Sequence, residues 1–428
     1  MVRKFFQAIK YSQFYKQKIK GLYVMKILIH IRNQVSNILE IMYGFVNPKK
    51  KVYNLVEYIR NRDNQLIEAF YREGILFLTN DWGGGSENYL QRACCEYCDK
   101  GKIVYIIRYS REKYEFWLLT EKEEKKFYLQ SLAQLGEINE KINIDTIIIN
   151  QLTLYPEPIK QLGEIQRLKA LFDSDLIMLF HDYYAVCPSF TLTQKNGLFC
   201  GLKCSKECTM CYQEQEFMEE TSCPNISTWR KQWKELLQDC SEVRCFSEDT
   251  LDRVKKVYGT DLKYTLVPHK VDYIPNVKKS NKTTQYLNIG VLGGLSPLKG
   301  GYVIQELVDV IRKKDWPIRV VLVGYTDGIK INCDRYFVTT GRYNVDDLPS
   351  IVKNYDIDLF FIPSIWPETF SYTTEEAIQM GMPVVTFDLG APATRVREYS
   401  RGMVLNTDKD PNHILEKIID FSNRGYYE

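Results

Sequence analysis

Two glutamates, Glu368 and Glu376, flank a short run, TFSYTTE, in which a strand end passes into a helix. Carboxylates accept hydrogen bonds from hydroxyl groups. A helix start gathers unsatisfied N–H groups and partial positive charge, which suits an anion such as a phosphate. Thr373 and Glu376 have the spacing of a capping box, and Gly381 followed by Pro383 reads as the helix stop. Elsewhere Lys299, between Pro297 and Gly300, is a cation in a strand-to-helix turn. Gly83, Gly84 and Gly85 follow a strand and open a helix, so backbone can approach a ligand closely there. His181 ends the strand LIMLF, at an edge where parallel sheets meet their ligands. Taken singly, each has a plain structural explanation: a solvated lysine, a tight turn, a histidine satisfying loop backbone. Taken together they suit a ligand carrying both phosphates and hydroxyls, as a nucleotide sugar does.

A second group is the cysteines. Six of the twelve fall within 187–223. Cys200, Cys204, Cys208 and Cys211 have the spacing of a four-thiolate structural zinc knuckle. Three readings stand on spacing alone: structural zinc, unligated or partly paired thiols, and an iron–sulfur cluster on the Cys-x3-Cys-x2-Cys portion. Asp173-Ser-Asp175 precedes its strand and is read as a turn, with no metal there.

The elements that must position these residues are short apolar strands alternating with helices, which predicts parallel, doubly wound sheets. The first such domain is expected over 72–270, with a cysteine-rich loop at 187–223. Its strands are GILFLTN, IVYIIR, IDTIIIN, LIMLF and VRCFS, and the charged stretch 120–140 is predicted helical. The second is expected over 285–428, with strands LNIGVLGG, RVVLVG, FVTTG, IDLFFIPS and VVTFD. The fold class is α/β: two Rossmann-like halves facing across a cleft, plus an N-terminal helical extension over 1–71.

Composition supports a globular chain, 45% hydrophobic and 26% charged over 428 residues. The net charge of +3 is uneven. Residues 1–60 hold twelve Lys and Arg against two Glu, a net of +10, leaving −7 on the rest. Two readings stand for this segment: an amphipathic basic layer on an anionic membrane surface, or helices packed on the catalytic body. No base-reading motif is present, so nucleic acid is not the expected partner. No apolar run is long enough to span a bilayer, and no secretory signal is evident. The expected location is cytoplasmic, or peripheral on the inner face of the cell membrane.

With these residues in place, the chain resembles retaining glycosyltransferases of family 4, which have the GT-B fold, of the type that acts in bacterial surface-polysaccharide assembly. The resemblance covers about 74–420. It rests on Pro363, Ser364, Glu368, Glu376, Ala377, Gly381, Pro383, Val384 and Val385 in one frame. It implies transfer of a sugar from a nucleotide diphosphate sugar to a hydroxyl on a lipid-linked or oligosaccharide acceptor. Glu376 then falls on the ribose contact and Glu368 on the transferred sugar. The amides of Phe370, Ser371 and Tyr372 fall on the diphosphate, with Lys299 and the loop Gly83–Gly85. His181 falls on the donor sugar. Glu368, His181 and Lys299 are the implied catalytic residues, and no cofactor is required for chemistry. One departure stands out: Gly294 replaces an arginine the family uses beside that lysine. The alternative is a catalytically silent nucleotide-sugar-binding or scaffold relative.

Overall fold

The computed structural model describes residues 73–424, apart from 111–112, 121–123, 154, 204, 216, 278–284 and 408–409. The basic extension expected over 1–71 therefore lies outside the described residues. The chain divides into two units: residues up to Cys245 with Arg253–Leu266, and Phe246–Asp252 with residues from Val267 onward.

Unit one opens with β1 (Gly74–Asn80), α1 (Gly85–Asp99), β2 (Ile103–Ser110), β3 (Lys113–Leu119) and β4 (Glu124–Leu129). It continues with β5 (Thr146–Ile149), α2 (Pro158–Phe172) and β6 (Asp175–Leu179). Then come α3 (Ser205–Glu214), α4 (Phe217–Thr221), α5 (Ile226–Gln238) and β7 (Glu242–Cys245). Helix α6 (Glu248–Tyr258), through which the division passes, and β8 (Tyr264–Leu266) follow. The eight strands form one sheet in the order β4-β3-β2-β1-β5-β6-β7-β8.

Every residue of β1 is buried, as a central strand covered on both faces requires. The stretch 120–140, predicted helical, instead supplies β4 and a 3-10 segment, Leu132–Ile138. β2, β3 and β4 pair antiparallel. The reason is a period of two that the charges mask. Tyr114, Phe116 and Leu118 are buried on one face with Phe127 and Leu129, while Glu115 and Lys126 pair at 2.7 Å on the other. The cysteine-rich segment, expected as an irregular loop, contains α3 and α4.

Unit two holds β9 (Leu287–Leu295), α7 (Gly301–Lys314), β10 (Ile318–Thr326), β11 (Phe337–Thr339) and α8 (Leu348–Asn354). After these come β12 (Leu359–Ile362), α9 (Tyr372–Gln379), β13 (Val384–Phe387), α10 (Gly390–Arg397), β14 (Gly402–Leu405) and α11 (Pro411–Ser422). Its six strands are all parallel, in the order β11-β10-β9-β12-β13-β14. On α7, Val303, Ile304, Leu307, Val308 and Ile311 form one buried stripe against β9 and β10, each contributing about 1.5–3 kcal/mol of burial. Arg312, Lys313 and Lys314 in its last turn complement the helix dipole. A second apolar cluster covers the other sheet face, including Val321, Val323, Phe360, Ala377 and Val384. With both faces covered, the carboxyl edge of this sheet is where loops are free to build a site.

Candidate active site

Lys299 and Glu368 meet at that edge. Lys299 Nζ lies 2.5 Å from Glu368 Oε2. The carboxylate side chain is 3% exposed and that of the lysine 41%, so the pair places a buried acceptor under a solvent-facing cation. Ser364 Oγ donates to the other oxygen, Oε1. Charge-assisted bonds of this kind orient a carboxylate strongly. Two close approaches hold the geometry. Gly300 has φ 83°, and a Cβ there would fall 2.0 Å from the Pro363 carbonyl oxygen. Ile365 N donates to Leu298 O at 3.0 Å, tying the lysine turn to the loop after β12. Gly390 has φ 69°, and its Cβ would fall 2.6 Å from the Glu368 nitrogen; Ala391 N donates to Glu368 O at 2.9 Å.

Helix α9 starts differently from the expected capping box. Ser371, not Thr373, is the N-cap, and its hydroxyl accepts from Thr374 N at 3.4 Å. Glu376 is thereby released from capping and sits one turn into the helix, buried, accepting from the Tyr273 hydroxyl at 3.1 Å. Burial, and after it the charge of Glu376, pushes the nearby Tyr343 hydroxyl up. The preceding loop is braced by aromatic rings. His269 stacks between Phe246 (centroids 4.0 Å apart) and Tyr372 (5.1 Å), with Phe370 edge-on at 4.6 Å. Thr250 Oγ1 donates to Thr369 O at 3.3 Å. The main chain of Phe370, Ser371 and Tyr372 is thus held from the side.

At position 294 a Cβ would lie 3.4 Å from the Tyr325 ring, its partner in the β9–β10 register. Arg342 lies over that ring, its Cζ 4.4 Å from the centroid. Arg342, from the loop after β11, and Gly294 thus share the Tyr325 ring as a neighbour.

In unit one, Gly83 and Gly84 have φ of 74° and 76°, and Gly84 is the N-cap of α1. Ser86 Oγ donates to Gln151 Oε1 at 2.9 Å, and Gln151 Nε2 donates to Asp182 Oδ2 at 2.8 Å. This relay ties the glycine turn to the segment carrying His181. The imidazole is half-buried, edge-on to Tyr89 at 5.0 Å. Arg244 Nη1 donates to the Tyr89 hydroxyl at 3.0 Å and is itself gripped by Glu242. Asp182 also accepts from Thr153 Oγ1 and Tyr184 N, both at 2.8 Å; burial nonetheless raises its pKa.

Residues 287–424 match the family model described as "Glycosyl transferases group 1". Spore coat protein SA of Bacillus subtilis (strain 168) is 27% identical over 142 residues, 30% of this chain and 37% of that protein's length. Two solved structures are similar over most of both chains. Sucrose-phosphate synthase from Thermosynechococcus elongatus has a TM-score of 0.53 at 14% identity, covering 82% of this chain and 91% of its own. HepE from Anabaena, in complex with UDP-glucose, has a TM-score of 0.53 at 17% identity, covering 82% and 90%. The chain has the GT-B fold.

Within this GT-B chain, unit two brings together Lys299, Glu368, the run Phe370–Tyr372 and Glu376, and unit one joins Gly83–Gly85 to His181. Tyr273, Tyr343 and Tyr325 were not evident from sequence. Tyr273 directly follows the run PHKVD, the only local hint, whereas Tyr325 is placed beside Gly294 by strand pairing alone. Of the predicted metal set, Cys204 lies outside the described residues. Among the described residues no three His, Cys, Asp or Glu side chains already stand in metal-holding geometry. No described helix is long and apolar enough to cross a membrane.

Proposed function

We propose that the protein is a retaining glycosyltransferase of the family 4 type. It moves a sugar from a nucleoside diphosphate sugar to a hydroxyl of a lipid-linked or glycan acceptor, in cell-surface polysaccharide assembly at the cytoplasmic face of the membrane. The observation that carries this reading is the Lys299–Glu368 pair beside the Ser371-capped helix that holds buried Glu376. A cation, main-chain amides at a helix start and two carboxylates suit a diphosphate flanked by two sugar rings. The HepE complex makes UDP-glucose the first donor to try.

In the reaction, the bond from the anomeric carbon to the diphosphate oxygen breaks, and a bond to the acceptor oxygen forms on the same face. The acceptor proton passes to the departing phosphate oxygen, so no covalent nucleophile is needed. Charge growing on that leaving group is met by Lys299 and the amides of Phe370, Ser371 and Tyr372. Those groups meet it without a metal ion. Glu368 accepts from sugar hydroxyls and Glu376 from the ribose. His181 and Gly83–Gly85 keep the donor-sugar and diphosphate roles that the family resemblance assigns.

The test is nucleoside diphosphate release from UDP-glucose and related donors, with and without a membrane-lipid extract as acceptor. Acceptor-dependent release that Glu368→Gln abolishes supports transfer. A second reading, a silent nucleotide-sugar binder, is favoured by Gly294 in the arginine position. Tight donor binding with no release under any acceptor would establish that reading instead.

A further inference from the structure

We propose that Cys187, Cys200, Cys208 and Cys211 form a tetrathiolate zinc site in unit one. All four line a single cavity of about 30 Å³ between the segment after β6 and helices α3 and α5. That is room for one water-sized body, hence for one ion. The rest of the wall is largely apolar, including Leu192, Leu202, Phe217 and Ile226.

Each sulfur has a donor aimed at it. Leu202 N lies 3.4 Å from Cys200 Sγ, Gln215 Nε2 lies 3.0 Å from Cys211 Sγ, and Arg230 Nη2 lies 3.6 Å from Cys208 Sγ. The main-chain N–H of Ser189 acts in the same way on Cys187. A neutral thiol is a weak acceptor; donors converging on sulfur are what metal-bound thiolates require around them. Cys187 and Cys200 both take their donor from the residue two positions on, so two turns present sulfur alike. Cys208 and Cys211 lie three apart on α3 and share one helix face.

As the described side chains stand, no three of them form a metal-holding group. Zinc binding requires the thiols to turn inward, and each zinc–sulfur bond formed displaces one thiol proton. The backbone here also needs a restraint. Phe190, Leu192, Leu202 and Ser222 all hold left-handed φ between 45° and 55°, a strained region for side-chain-bearing residues.

The experiment uses the full chain, purified under reducing conditions without chelator or metal-affinity resin. Its metal content is measured, and zinc release is followed with a colorimetric indicator during titration with a mercurial reagent. The expected result is one zinc per chain, released as four protected thiols react. Cys204→Ser should retain the metal, and Cys187→Ser should lose it. The unmodified chain carries the test even if Cys187→Ser fails to fold. Absence of zinc after purification and zinc addition overturns the site. So does iron with acid-labile sulfide, or a Cys204→Ser variant that loses metal while Cys187→Ser keeps it.

Discussion

Lys299 Nζ and Glu368 Oε2, 69 positions apart in sequence, stand 2.5 Å from each other at the carboxyl edge of the second sheet. The carboxylate is buried and the ammonium half-exposed, so removing either partner has a different consequence. Lys299→Ala leaves a buried carboxylate with only the Ser364 hydroxyl. The expected loss is about 1–3 kcal/mol, read by denaturant unfolding, together with loss of sugar transfer. Glu368→Gln removes the buried charge and keeps a hydroxyl partner. It should cost less stability than Lys299→Ala while transfer still falls, and equal costs would contradict the asymmetry.

Gly300 and Gly390 allow that pair to form, because a Cβ at either meets main-chain atoms at 2.0 and 2.6 Å. Alanine at either should destabilise by more than about 1 kcal/mol and weaken donor binding as well. Gly294→Ala is the control. Its Cβ would make ordinary contact with Tyr325, so stability should stay within about 0.5 kcal/mol of the parent.

Arg342 lies over the Tyr325 ring, whose residue pairs with Gly294, the position where the family resemblance implies an arginine. Arg342→Ala should weaken binding of a nucleoside diphosphate sugar in a thermal-shift or calorimetric titration. Adding Gly294→Arg to that variant should restore it. No recovery would mean that Arg342 serves another group.

Tyr273 donates to buried Glu376. Tyr273→Phe removes one hydrogen bond and keeps the ring. The expected cost is about 1 kcal/mol of unfolding free energy in the unliganded protein, with weaker donor binding because Glu376 loses the bond that orients it.

Glu242 and Asp182 predict opposite responses to acid. Arg244's hydrogen bonds to Glu242, at 2.6 and 2.7 Å, hold that carboxyl below its ordinary 4.5. Its stabilisation is present above 4.5 and is lost as pH falls through the lower folded value. Asp182 is raised by burial above 3.8, so its folded form binds a proton more readily. It favours the native state below 3.8, an advantage lost as pH rises through the folded value. Unfolding free energies measured over roughly pH 3 to 7, the span where carboxyls titrate, should therefore flatten at the acid end in Glu242→Gln. An unchanged slope would show that Arg244 does not hold the charged form.

The central strands were legible because a strand buried on both faces must be an apolar run, and β1, β9 and β10 are such runs. The glycine turn and the strand-to-helix turn of Lys299 were legible because such turns demand particular residue types at fixed offsets, whereas the capping box expected of Glu376 did not form. The hairpin of β3 and β4 was not legible. Charged residues on its open face mask the alternation, and only pairing with β2 reveals it. The cap of α9 went to Ser371 over Thr373, and the loop before it is braced against His269.

Local pattern thus determined most of the elements, the β3–β4 hairpin and the helices of the cysteine-rich segment aside, and where the chemistry-bearing residues sit along the chain. Tertiary structure alone decided which of those residues meet. Lys299 with Glu368, Tyr273 with Glu376, Arg342 with Tyr325 beside Gly294, and four cysteines around one cavity are contacts between distant segments. Such contacts leave no periodic signal in the sequence, because they are created by strand order and by the few backbone positions that allow two loops to touch.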